Sequence, residues 1–113
     1  MQRDAVYLLD ILEAAKLAVS YVAGISKDAF LLDTQCQDSV IRRIEIIGEA
    51  SRRVSPETRD AFPGIPWSEM VGMRNLMIHD YDDVDLEIVW DTVQCDLPRL
   101  IALIEPLVPP MVE

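Results

Sequence analysis

The chain has 113 residues, of which 50% are hydrophobic and 27% charged, and its formal net charge is −10 at neutral pH. That length fits one domain, and that composition buries a core, so disorder and a two-lobed architecture are excluded. No apolar run reaches the roughly 18 residues of a membrane span, and Arg3, Asp4, Asp10 and Glu13 interrupt any secretory leader. The expectation is a single cytoplasmic domain over residues 1–113, without membrane association.

The acidity argues against a generic nucleic-acid binder, because phosphate contacts dominate such affinities. The distribution softens that argument. Arg42, Arg43, Arg52, Arg53, Arg59 and Arg74 fall in the middle third, whereas residues 80–96 hold seven acids and no base. A local basic surface on an acidic body is compatible with this pattern, and an acidic rim suits a basic partner. Cys36 and Cys95 are far apart, with no Cys-x-x-Cys pair. They read as reduced, packed thiols, and no metal site or cofactor is expected.

Helical periodicity runs almost throughout. In a first helix, roughly 3–23, Asp10, Glu13, Lys16 and Ser20 line one sector, and Val6, Leu8, Leu9, Leu12, Ala15, Val19 and Val22 fill a wider one. A stripe that wide predicts more than one neighbour. Gly24 is a stop. Ser26–Asp33 reads as a connector holding a short apolar piece, Phe30-Leu31-Leu32.

A second helix spans about Thr34–Val54, with Val40, Ile44, Ile47 and Val54 on one face and Asp38, Arg42, Glu45, Glu49 and Arg52 on another. Glu49 and Arg53 are spaced for an i,i+4 pair. These arginines are either a solvated, self-paired face or a phosphate-contacting one.

Ser55-Pro56 is an N-cap followed by a first-position proline, opening a short helix. Phe62-Pro63-Gly64-Ile65-Pro66 is a turn, and a helix follows from Trp67 to about Ile78. Tyr81–Asp85 reads as a loop, with Asp85 or Asp83 capping the last helix from Leu86. There Leu86, Trp90, Val93, Leu97, Leu100, Ile104 and Leu107 alternate spacings of four and three, a heptad seam predicted to pack inside the bundle. Pro98 should kink this helix, and Pro106, Pro109 and Pro110 end it. The predicted fold is all-α: an up-down bundle of about four to five helices, with no strand pattern of consequence.

The stretch Met73–Tyr81 concentrates the chemistry. It holds the only histidine, His79, five residues after Arg74 and two before Tyr81. Cleaving RNA without a metal requires that the 2′-hydroxyl lose a proton, that the leaving 5′-oxygen gain one, and that the phosphorane-like charge be stabilised. Histidine titrates near working pH and suits both transfers. The arginine fork matches phosphate oxygens, and a tyrosine orients a phosphate or stacks on a base. One imidazole does not readily serve as base and acid in one turnover, so the chemistry predicts a homodimer whose twofold axis brings two together.

A position near a helix C-terminus, with Asp80, Asp82 and Asp83 adjacent, favours a charged His79. On an unbroken helix Arg74 and His79 point about 140° apart. They converge only if the helix ends between them or if facing copies contribute one each. Asn75 and His79, four apart, would share a helical face. The bland alternative is a capping histidine and an arginine paired with Asp80 or Asp83.

The stretch Ile65–Tyr81 resembles the HepT-like branch of the HEPN ribonuclease superfamily, as do Ile41–Ala50 and Asp85–Trp90. The likeness spans essentially the whole chain. The family's arginine-x4-histidine-x-tyrosine motif falls on Arg74, His79 and Tyr81; the residue between the last two, often glycine in such proteins, is Asp80.

The resemblance implies an all-helical homodimeric toxin of a type VII-like toxin–antitoxin pair. It implies a metal-independent endoribonuclease acting on RNA, tRNA or mRNA, with Arg74 and His79 catalytic. Asn75 and Glu49 are candidate supporting residues. The implied partner is an MntA-type minimal nucleotidyltransferase antitoxin that attaches AMP to Tyr81, placing negative charge and bulk where substrate phosphate must sit. The alternative is a non-catalytic helical partner or substrate-binding subunit of such a nucleotidyltransferase.

Overall fold

Helix α1 (Gln2–Tyr21) opens the chain in the computed structural model, which describes residues 2–80 and 83–108. It ends just before Gly24, whose φ of +78° lies in the left-handed region that glycine adopts at little cost. Leu8, Ile11, Leu12, Ala15 and Ala18 are buried along it. Most of the wide apolar sector packs against two neighbours in the later helices, but Val6, at its N-terminal end, is 58% exposed and Leu9 and Val19 are half-buried.

The segment read as a connector is in part a helix, α2 (Lys27–Leu31). The Ser26 hydroxyl accepts from the Ala29 N–H at 3.1 Å, and Phe30 is fully buried with its ring 5.3 Å from that of Trp90. Five residues are too few to show a helical period, but one aromatic anchor and a serine cap suffice to hold a single turn.

Helix α3 (Thr34–Arg53) starts at Asp33, whose carboxylate accepts from the Cys36 N–H at 3.0 Å. Val40, Ile44, Ile47 and Val54 are buried, as the periodicity predicts. The helix runs antiparallel to α1. Tyr21, at the end of α1, accepts from Cys36 Sγ at 3.6 Å, and Asp4, at its beginning, binds Ser55 just beyond the end of α3.

Ser55 caps α4 (Pro56–Ala61), with Pro56 at its start. Asp4 is only 5% exposed, and its carboxylate accepts from the Ser55 N–H at 3.1 Å and from the Ser55 and Thr58 hydroxyls at 2.5 Å each. One acid therefore ties the start of α1 to the start of α4. Arg59 closes the other side of this corner. Its guanidinium donates to the carbonyls of Ser51, Arg52 and Val54 at 2.8, 3.0 and 3.1 Å, satisfying the end of α3.

The predicted turn leads into α5 (Trp67–Met77), and Trp67 Nε1 donates back to the Phe62 carbonyl at 3.0 Å. Helix α5 packs closely on α3 at Gly48. A Cβ there would lie 3.3 Å from the Met70 carbonyl oxygen and 3.6 Å from that of Val71.

Beyond α5 the chain forms a small antiparallel ladder, β1 (Ile78–Asp80) with β2 (Asp83–Val84), in a stretch read as helix end and loop. Asp85 is the cap of α6 (Leu86–Asp91), accepting from the Glu87 and Ile88 N–H groups at 3.1 and 3.2 Å. The heptad seam packs inward. Val93, Leu97, Leu100 and Ile104 are buried, and α7 (Leu97–Ile104) lies on α1.

The interruption expected at Pro98 takes the form of a π-helical turn, Thr92–Asp96, that ends two residues before it. A wider turn gives the proline ring room from preceding carbonyls and accommodates its missing N–H. Pro106 lies in a closing 3-10 turn, Glu105–Leu107; Pro109 and Pro110 lie outside the described residues. No helix among the described residues is long and apolar enough to cross a membrane.

Candidate functional site

The site is placed by the way α5 ends. Arg74 and Asn75 lie in its last turn, and the helix stops at Met77, before His79. The termination has a local cause. Ile78 and Val84, both β-branched, are Cα partners in the ladder, and such residues suit paired strands better than helix ends. Asp80 pairs with Asp83, so between the two pairings one strand advances two residues and the other advances one. His79 is the extra residue on the longer side, a β-bulge. Bulges re-aim a backbone and recur beside active sites.

This bears on two expectations. The helix ends between Arg74 and His79, which is one of the two conditions under which they converge. Asn75 and His79 do not share a helical face, because His79 is on a strand; that expectation is corrected. Asn75 is exposed at the end of α5. Tyr81 lies outside the described residues, and Arg74 and His79 are placed here by their backbone alone.

Glu49 does not stand free. Its carboxylate pairs with Arg52 at 2.8 Å and Arg53 at 3.2 Å, all three exposed on the outer face of α3. Arg42 lies 3.7 Å from Glu45. Arg59 is committed to the end of α3, and Arg42, Arg52 and Arg53 lie beside acids on an exposed face, the arrangement of the self-paired alternative.

Among the described residues no group of three histidine, cysteine or acidic side chains is arranged to hold a metal ion. Cys36 is half-buried, and burial raises its thiol pKa. Cys95, expected to be packed, is instead exposed on the π turn, because the seam points Val93 and Leu97 inward and leaves position 95 facing out.

The bulge was the feature that periodicity missed. A signal for it exists: two β-branched residues, Ile78 and Val84, flank a short polar run rich in aspartate.

The domain is a helical bundle in which an arginine in the last turn of one helix precedes a histidine on the short strand beyond it. The comparisons name its family. The profile described as "HepT-like: Ribonuclease HepT-like" matches residues 11–107. A "Putative RNase" of Methanocaldococcus jannaschii is 40% identical over 94 residues, 83% of this chain and 86% of that protein. A "Probable ribonuclease HepT" of Thermococcus cleftensis is 44% identical over 94 residues, with the same two coverages. A "Putative RNase" of Caldanaerobacter subterraneus is 35% identical over 100 residues, 88% of this chain and 89% of that protein. No solved structure matches. The chain belongs to the HepT-like ribonuclease family of the HEPN superfamily.

Proposed function

We propose that this ribonuclease is the toxin of a toxin–antitoxin pair and works as a homodimer, cleaving RNA at a groove shared by two protomers. In this reading one His79 takes the proton from the 2′-hydroxyl, and the 2′-oxygen attacks phosphorus. The other His79 protonates the departing 5′-oxygen. The two Arg74 guanidiniums hold the equatorial oxygens as charge builds. The products are a 2′,3′-cyclic phosphate and a 5′-hydroxyl, and no redox step or metal-bound nucleophile is needed. The observation that carries the reading is the end of α5 at Met77, between the two residues. Asn75, exposed in the same last turn, is a candidate to orient the phosphate or the base. Glu49, already committed to two arginines, is the weaker supporting candidate.

Tyr81 is the proposed control point. An MntA-type nucleotidyltransferase antitoxin transfers AMP from ATP to its phenolic oxygen, releasing pyrophosphate. The added phosphate then repels the substrate backbone. The acidic surface and the self-paired arginines favour a second reading, in which the dimer is a non-catalytic subunit that presents substrate to the nucleotidyltransferase.

One experiment separates the two. The purified chain is incubated with tRNA and with mRNA in EDTA, beside His79→Ala and Arg74→Ala. Cleavage that both substitutions abolish, leaving cyclic-phosphate ends, supports the nuclease. Its absence in the parent chain across pH and salt leaves the subunit reading. For the modification, Tyr81→Phe should remove the mass increment of one AMP seen after incubation with the nucleotidyltransferase and ATP.

A further inference from the structure

A cleft of about 360 Å³ lies between α5 and the π turn with the start of α7, away from the arginine face of α3. Its walls are mostly apolar, with Met70 and Met73 on one side and Leu100 and Leu103 on the other. Leu103 remains 42% exposed. Glu69, Asp96 and Arg99 stand around it, and none of the three makes an ion pair with another described residue. Thr92 and Asp96, the first and last residues of the π turn, both contribute to the lining. Methionine walls adapt to varied apolar side chains.

We infer that this cleft docks a segment of a partner protein, one that inserts an apolar side chain between α5 and α7 and flanks it with lysine or arginine facing Glu69 and Asp96. Arg99 is left to take a carbonyl or C-terminal carboxylate of the same segment. Charge selects this occupant. The chain carries −10, and the π-turn helix supplies Asp91 and Asp96 with no base between residues 80 and 96. Leu32 of a second copy, at 88% the most exposed large apolar residue among the described ones, fits badly: it sits next to Asp33 and four residues from Asp28, so its insertion would bring acid against acid. The occupant would rest on Met70 and Met73, and so on the helix whose last turn holds Arg74.

The test uses the full chain, labelled with ¹⁵N, and three synthetic hexapeptides. One has a Leu-Phe centre flanked by arginine and lysine, one has the same centre flanked by glutamate, and one has a Ser-Ser centre with the basic flanks. The basic apolar peptide should shift amides at Met70, Met73, Leu100 and Leu103, and bind about tenfold tighter than either relative. Glu69→Lys with Asp96→Lys should weaken it about tenfold. Asp28→Lys with Asp38→Lys, which changes net charge equally at exposed distal sites, should not. Leu103→Ser, at a half-exposed position that folding tolerates, should also weaken it. The inference is overturned by equal binding of the basic and acidic peptides, by shifts centred on Leu32 or Phe62, by equal loss in the distal variant, or by no saturable shift at millimolar peptide. Because the readout is binding, failure of the nuclease reading leaves this result interpretable.

Discussion

Replacing Asp4 by alanine should cost this fold about 3 kcal/mol, from loss of hydrogen bonds to a charged acceptor. The carboxylate accepts three: from the Ser55 N–H at 3.1 Å and from the Ser55 and Thr58 hydroxyls at 2.5 Å each. A bond to a charged group contributes roughly 1.5–3 kcal/mol net. The full sum is not lost, because Ser55 and Thr58 keep each other at 3.4 Å and the cap bond from the Thr58 N–H at 3.3 Å. For a domain of this size the loss lowers Tm by roughly 12 °C. Melting and urea unfolding at one fixed protein concentration measure it.

The pH dependence is a sharper check. The hydroxyls of Ser55 and Thr58, aided by the Ser55 N–H, hold the Asp4 carboxyl below its ordinary 3.8, with burial opposing them. A lowered folded-state pKa means stability fully present above the unfolded value and lost as pH falls through the folded one. The gap between parent and Asp4→Ala should therefore be constant from about pH 7 to about pH 5, then close on further acidification. A gap under about 1 kcal/mol at neutral pH, or one that does not narrow in acid, refutes the knot as a charge-assisted one.

Three further outcomes are expected. Gly48→Ala should change stability by less than about 1 kcal/mol, since the gain in helix propensity offsets the tight 3.3 Å approach to the Met70 carbonyl. Gly48→Leu should cost at least about 3 kcal/mol by forcing α5 off α3, and RNA cleavage should fall with it; denaturant titration beside a tRNA assay reads both. Arg59→Ala should lose about 2 kcal/mol by uncapping three carbonyls yet leave cleavage per folded molecule unchanged, as kinetics well below the melting point will show. RNA binding should lose only about tenfold between 50 and 200 mM salt, against the thousandfold or more of a protein with six to ten phosphate contacts; fluorescence anisotropy of a labelled strand with His79→Ala measures the slope.

The helices and their buried faces were legible because long amphipathic segments announce their period. Val40, Ile44 and Ile47 in α3, and Val93, Leu97, Leu100 and Ile104 in the last helix, are buried where the spacing put them. The caps at Ser55 and Asp85 were legible because their chemistry is local. Short elements were not. Helix α2 has one buried anchor, Phe30, and no period to detect. The β1–β2 ladder is formed by pairing between two short segments, which a scan along one strand does not see. The fate of the arginines was legible only in part. Glu49 with Arg53 follows from spacing, whereas Arg59 reaches back to the end of α3 through a corner that exists only in three dimensions.

The arginines also bear on how an acidic chain is to be read as a nuclease. Counted from sequence, the middle third looks like a basic platform. In the fold, Arg52 and Arg53 serve Glu49, Arg42 serves Glu45 and Arg59 serves backbone. A broad electrostatic grip on RNA is therefore not what such a surface provides, and catalysis in the proposed reading must rest on few groups placed well. One Arg74 and one His79 per protomer are too few for two proton transfers and a stabilised phosphorane, and a twofold pair doubles both. In the proposed reading the same economy would make one tyrosine beside the motif an effective switch. Where few cations hold the substrate, a single added phosphate shifts the local balance by as much as a lost arginine.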